Sequence, residues 1–127
     1  MKKILFAIFA MSFFIAKADS PFEWSAASSE GQIRVSVKIP ENYYLYSNLT
    51  KVSVIDSAGN ALVPVKSPPD KKYVNEFKEE HRIYGSGARD WIYAPSYSPP
   101  LNVSIKYQGC SKSPFMCYPP SSKDFEL

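Results

Sequence analysis

Ile33, Val35, Val37 and Ile39 are separated by Arg34, Ser36 and Lys38, an unbroken two-residue alternation of apolar and polar side chains. Successive side chains of an extended chain point to opposite faces, so this run folds as a half-buried strand and cannot lay down a helical stripe. Residues 101–107 repeat the pattern through Leu101, Val103, Ile105 and Tyr107, and Lys51–Ile55 repeats it in shorter form. Tyr43–Tyr46 reads as an aromatic strand, residues 61–65 as another entered through the turn Ser57-Ala58-Gly59-Asn60, and residues 90–94 as a weaker one. Helical signals are poor; only residues 73–82 hold enough Glu and Lys for a turn or two. The 11 prolines and 5 glycines fall mostly between the strand candidates, where turns need them. Short strands spaced by roughly ten residues predict an all-β fold, an immunoglobulin-like β-sandwich of one domain.

The N-terminus has a different logic. Met1-Lys2-Lys3 is a short basic run, residues 4–16 are almost wholly apolar, and Ala16-Lys17-Ala18 offers small residues where a signal peptidase reads them. The apolar stretch falls short of the roughly 20 residues of a comfortable membrane span. A signal peptide over residues 1–18 is therefore expected, leaving a mature domain of residues 19–127 with no direct membrane span. No cysteine sits near the cleavage region, which disfavours a lipid anchor. Lys2, Lys3 and Lys17 leave with the signal, so 12 of the 15 basic residues remain against 12 acidic ones. That balance gives no reason to expect nucleic acid or an anionic membrane surface as a partner. Export also puts the cysteines where disulfides persist.

Cys110 and Cys117 are the only cysteines, with Ser-Lys-Ser-Pro-Phe-Met between them. Gly109 before the pair and Pro114 within it suit a hairpin-like connection that brings the sulfurs to bridging distance. A staple across so short a loop contributes on the order of 2.5 kcal/mol in the chain-entropy model. A sandwich disulfide usually joins strands far apart in sequence, with a buried Trp against it, and this pair does neither. Spacing alone leaves redox exchange and a structural staple equally open. Zinc lacks its four ligands, since His81 is the only histidine. Cu(I) on Cys110, Cys117 and Met116 is a distant alternative. A Cys–His hydrolase dyad lacks a general base or oxyanion site, and the absence of C-x-x-C excludes a thioredoxin-type centre.

Three pieces of the chain, in order, are Asn42-Tyr43-Tyr44-Leu45-Tyr46, Ile83-Tyr84-Gly85, and Tyr107-Gln108-Gly109-Cys110 continuing to Cys117-Tyr118-Pro119-Pro120. Together they resemble the N-terminal periplasmic domain of the bacterial thiol:disulfide interchange protein DsbD, over roughly residues 20–124. The Y-Q-G-C…C-Y-P-P part is the most specific. The resemblance implies an immunoglobulin-like sandwich in the periplasm, a protein-disulfide reductase with no bound cofactor and no metal. It would take electrons from a membrane-embedded thiol transporter and pass them to periplasmic thioredoxin-fold proteins, including disulfide isomerases and the cytochrome c maturation thioredoxin. By the same resemblance Cys117 attacks to form a mixed disulfide and Cys110 resolves it. Tyr44 and Tyr46 match aromatic residues packed beside the cysteines, and the segment ending Ile83-Tyr84-Gly85 matches a cap loop that shields the pair.

The chain departs from that pattern in places. The inter-cysteine loop is one residue longer, and His81, Arg82 and Ile83 stand where the family has an acidic pair and Phe. If His81 and Arg82 lie near the sulfurs, their charge favours the thiolate; otherwise His81 is a solvated loop residue. The membrane helices and C-terminal domain of the longer protein are not in this sequence, so a stand-alone relay and a fragment are both open. Tyr107 and Tyr118 are candidates for a contact surface beside the cysteines. Phe115 and Met116 form either an apolar docking knob or part of the core. Glu79 and Glu80 read as solvated, and the sequons at Asn48 and Asn102 as coincidence. The alternative to the relay is a non-catalytic, partner-binding sandwich with a structural disulfide.

Overall fold

The computed structural model describes residues 20–94 and 99–127, which form 12 strands and a single 3₁₀ turn at Ser47–Leu49. The expected signal segment lies outside the described residues. Among those described, no helix is long and apolar enough to cross a membrane.

Strands β1 (Glu23–Ser29), β2 (Gln32–Ile39), β5 (Pro64–Lys66) and β8 (Gly87–Tyr93) make one sheet, in the order β1-β2-β8-β5. Strands β4 (Lys51–Ile55), β9 (Asn102–Tyr107) and β12 (Ser121–Glu126) make a second, with β9 in the middle. The third joins β3 (Tyr43–Tyr46), β6 (Lys71–Val74), β7 (Glu80–Tyr84), β10 (Gly109–Ser111) and β11 (Met116–Cys117), in the order β11-β10-β3-β7-β6. Every pairing is antiparallel.

The core is the inward half of the alternating strands. Ile33, Val35, Val37 and Ile39 of β2 and Val103, Ile105 and Tyr107 of β9 are buried, together with Trp24, Trp91, Tyr93, Val54 and Leu45. This is an immunoglobulin-like sandwich, as the strand pattern predicts. Burying such side chains removes about 25 cal/mol of unfavourable hydration per Å² of apolar surface. Period two fixes which side chains contribute.

The structure corrects several boundaries. Of residues 61–65, Ala61 makes an isolated bridge to Ile55, and the strand itself begins only at Pro64, in the short β5. Residues 73–82 are not helical: they span most of the β6–β7 hairpin. Its turn is built by Asn75, whose side-chain oxygen accepts from the Phe77 and Glu79 N–H groups at 2.9 and 3.0 Å, and whose amide donates to Glu79 Oε1 at 3.0 Å. A side chain that satisfies two turn amides outcompetes a marginal helical turn.

Candidate functional site

The inter-cysteine segment is a hairpin. Cys110 on β10 lies directly opposite Cys117 on β11, and the sulfurs are bonded, with the two Cα atoms 3.9 Å apart. Asn42 clamps its loop from outside. The Asn42 side chain donates to the Ser113 carbonyl at 2.9 Å and accepts from the Ser113 N–H at 3.0 Å, and its carbonyl accepts from the Lys112 N–H at 2.8 Å. Ser111 Oγ donates to the Pro114 carbonyl at 2.7 Å inside the loop. Asn42, the first residue of the Asn42-Tyr43-Tyr44-Leu45-Tyr46 motif, thus ties the start of β3 to this loop.

Register then carries chemistry across the sheet. Cys117 pairs with Cys110, Cys110 with Tyr44, Tyr46 with Ile83, and His81 with Tyr73. All of these share one face, while Tyr43, Leu45 and Tyr84 turn to the main core on the other. The result is a second, small core of Cys110, Tyr44 and Ile83, all wholly buried, flanked by Tyr46, Tyr73 and Phe115. Tyr44 packs on Tyr73 at 5.0 Å and edge-on to Tyr46 at 5.6 Å between centroids. Burial, and then the neighbouring Tyr46, pushes the Tyr44 hydroxyl well above the ordinary phenol range.

The Tyr46 hydroxyl stands 3.3 Å from Cys110 Sγ and 3.7 Å from Cys117 Sγ. Disulfide sulfurs carry no hydrogen, so in this state the hydroxyl is the donor. Behind Tyr46, the His81 ring stacks at 4.9 Å, with its Nε2 atom 3.6 Å from Glu79 Oε1. Glu79 is exposed, as the sequence suggests, and the Asn75 amide, and then His81, hold its carboxyl below the usual range.

Arg82 is elsewhere. It occupies the opposite face of β7 from His81 and Ile83, where its Nη2 and Nε atoms donate to Asp70 Oδ1 at 2.7 and 3.2 Å. That guanidinium and Ser47 hold the Asp70 carboxyl below its usual range. The charge expected to favour a thiolate is thus spent on Asp70. His81 packs on the ring of Tyr46, whose hydroxyl touches both sulfurs.

The segment 81–85, expected as a cap loop, is instead strand β7 and the residue after it, part of the β6–β7 hairpin. Ile83 contributes its buried floor, and Tyr84 faces away, edge-on to Trp91 at 5.5 Å. Gly85 lies beyond the strand, against the Lys71 side chain. Phe77 at the hairpin tip reaches over to Phe115 of the inter-cysteine loop, edge-on at 5.2 Å. In the sequence, the one signal for Phe77 is its place in the tight N-E-F-K-E turn beside Asn75.

Tyr107 and Tyr118 are not in this cluster. Both pack on Phe22, at 6.1 and 6.2 Å, on the far side of Cys117. With Met116, Cys117 and Pro119 they line an open groove of about 550 Å³. Phe115 tucks into the small core and Met116 is exposed. Among the described residues, no three His, Cys, Asp or Glu side chains gather into a metal-ligating group.

Comparison with known proteins converges on one family. The family model for the N-terminal part of thiol:disulfide interchange protein DsbD matches residues 13–127. DsbD of Haemophilus ducreyi is 31% identical over 109 residues, covering 83% of this chain and 18% of that protein. DsbD of Cronobacter sakazakii is 26% identical over 110 residues, covering 87% of this chain and again 18% of the relative. The chain therefore spans about a fifth of the length of these relatives. The reduced DsbD N-terminal domain of Neisseria meningitidis superposes with a TM-score of 0.65 at 20% identity, over 84% of this chain and 83% of that one. A second Neisseria structure, of the complex between the DsbD and PilB N-terminal domains, gives 0.62 at 20% identity, covering 89% of this chain and 87% of the other. These structures share the fold.

Proposed function

The chain belongs to the family of the DsbD N-terminal domain, and from that premise we propose that it carries electron pairs in the periplasm by opening and reclosing the Cys110–Cys117 bond. A membrane-embedded thiol transporter reduces the disulfide. The dithiol then reduces thioredoxin-fold recipients, and so works as a protein-disulfide reductase without a bound cofactor. Export on a signal peptide ending at Ala18 places the mature domain, residues 19–127, in that compartment. The Neisseria complex between DsbD and PilB N-terminal domains supports a protein partner docking on a domain of this family.

The observation that carries this reading is the asymmetry of the two sulfurs. Cys117 is exposed on an edge strand, whereas Cys110 is wholly buried beneath Tyr44 and Ile83. Exchange requires a thiolate to approach one sulfur along the S–S axis, so access decides which sulfur is attacked. Cys117 is the one a partner reaches. In the reducing direction its thiolate attacks the client disulfide and forms a mixed disulfide, and Cys110 then attacks Cys117 Sγ to release the reduced client. The β6–β7 hairpin, with Ile83 as floor and Phe77 resting on Phe115, is the cap over the buried sulfur. The groove beside Tyr107 and Tyr118 leaves the other flank of Cys117 open.

Trapping tests the proposal. A Cys110→Ser variant should accumulate Cys117-linked adducts with periplasmic thioredoxin-fold proteins, and Cys117→Ser should accumulate none. Equal yields from both variants, or none from either, would contradict it.

A further inference from the structure

Opening the disulfide leaves a charge where water cannot solvate it. When the electron donor's thiolate attacks Cys117 Sγ, the S–S bond breaks and its electron pair moves to Cys110 Sγ. That sulfur is wholly buried, in a pocket of Tyr44, Ile83, Tyr46, Tyr73 and Phe115. A thiolate in such surroundings is destabilised unless a donor meets it, and a poor leaving group slows exchange. Among the described residues, the Tyr46 hydroxyl, 3.3 Å away, is the hydrogen-bonding group that touches Cys110 Sγ.

We infer that Tyr46 is a catalytic residue of the exchange, its hydroxyl donating the hydrogen bond that receives Cys110 as it leaves the disulfide as a thiolate. The inference rests on the relay reading and adds to it the group that makes the buried sulfur a competent leaving group. Tyr46 keeps its proton throughout. The two protons that finally appear on Cys110 and Cys117 come from the donor's two thiols, which are oxidised to a disulfide as this one is reduced. In the opposite direction the same bond stabilises the Cys110 thiolate before it attacks Cys117 Sγ of the mixed disulfide, as reversibility requires.

The surroundings hold the hydroxyl in place. Antiparallel pairing sets Tyr46 opposite Ile83 on β7. Its N–H donates to the Gln108 carbonyl at 3.0 Å, two residues before Cys110. Its ring is wedged between Tyr44 and His81. The hydroxyl also lies 3.7 Å from Cys117 Sγ, so a small shift follows the charge from one sulfur to the other.

Tyr46→Phe keeps the ring and removes the donor. The Cys110 pKa is read from thiolate absorbance in the mature protein carrying Cys117→Ser, with and without Tyr46→Phe. The rate at which dithiothreitol reduces the disulfide is measured in the two-cysteine forms. Loss of one hydrogen bond to a charged group should raise the Cys110 pKa by about one unit or more and slow reduction roughly tenfold. A purely structural tyrosine would leave the thiol pKa where it was. Identical pKa and rate in the variant overturn the role of Tyr46, while a wild-type disulfide that dithiothreitol cannot open overturns the relay itself. If the phenyl variant melts well below wild type, a fluorotyrosine placed at position 46 decides, because a stronger donor must lower the Cys110 pKa and an unchanged value refutes the assignment.

Discussion

Gly109→Ala adds one methyl group at the tightest point behind the disulfide. A Cβ at position 109 would overlap the Tyr44 carbonyl oxygen and stand 2.5 Å from Phe22 Cζ and 2.9 Å from Leu45 Cδ2. The backbone conformation at Gly109 is one any residue adopts, so the obstruction is space and not torsion. Phe22 could rotate, but the Tyr44 carbonyl belongs to a strand paired with β10 through Gly109 opposite Leu45 and Cys110 opposite Tyr44. The Gly109 carbonyl is also engaged, accepting from the Tyr118 N–H at 2.9 Å. Strands β3 and β10 must part to admit the methyl. Overpacking of a filled core costs about 1–3 kcal/mol, and a backbone obstacle places this case at the upper end. At roughly 4 °C per kcal/mol for a domain of this size, the melting midpoint should fall by about 10–15 °C. Gly85→Ala is the matched comparison, because its Cβ would meet the flexible end of Lys71 at 3.1 Å, and it should stay within about 1 kcal/mol of wild type. Thermal melts of oxidised protein followed by circular dichroism give both values. A Gly109→Ala midpoint within about 3 °C of wild type would refute the close approach of β10 to β3 from which the site is built.

Phe77→Ala removes the edge contact on Phe115; an aromatic pair is worth about 0.5–1.5 kcal/mol, so the midpoint should hardly move while small thiols reduce the disulfide severalfold faster. An unchanged reduction rate would show that the hairpin tip does not guard the bond. Burial pushes the Tyr93 phenol up to about 12, which means its neutral form supports folding fully below pH 10 and that support is lost as the pH rises through 12. Urea midpoints should therefore fall across that alkaline window, and Tyr93→Phe should flatten part of the fall. At the acid end the signs reverse for Asp70 and Glu79, both held below the usual carboxylate range. Their contribution is complete above that range and disappears as the pH drops through their lowered values, so Asp70→Asn should flatten the acid limb of the stability profile.

The parts of the fold legible in the sequence are those in which one face of a strand is buried and the other wet. Strands β2 and β9 show this plainly, with four and three buried residues in strict alternation. Strands β1 and β12 were illegible because most of their residues are small or polar; Trp24 and Phe125 are nearly alone in marking an inward face. The β6–β7 hairpin was hidden for a related reason. Only Ile83 of its strands is fully buried, and the turn depends on one asparagine side chain folding back on its own backbone. Proximity of His81 and Arg82 to the sulfurs was a question of strand face, which adjacent residues cannot share. His81 fell beneath Tyr46, Arg82 opposite Asp70. The spacing of Cys110 and Cys117 suggests a hairpin, but Asn42, which clamps it, and Tyr46, which touches its sulfurs, come from a turn and strand distant in sequence, which spacing does not report.

The central claim is that the Cys110–Cys117 bond is exchanged in use. Equilibrating the mature domain in graded glutathione or dithiothreitol buffers and counting free thiols gives its reduction potential. Exchange with thioredoxin-fold partners predicts a value above about −300 mV, within reach of the thiols that must charge and drain it. A value well below about −300 mV, where structural disulfides of secreted proteins lie, would contradict the account.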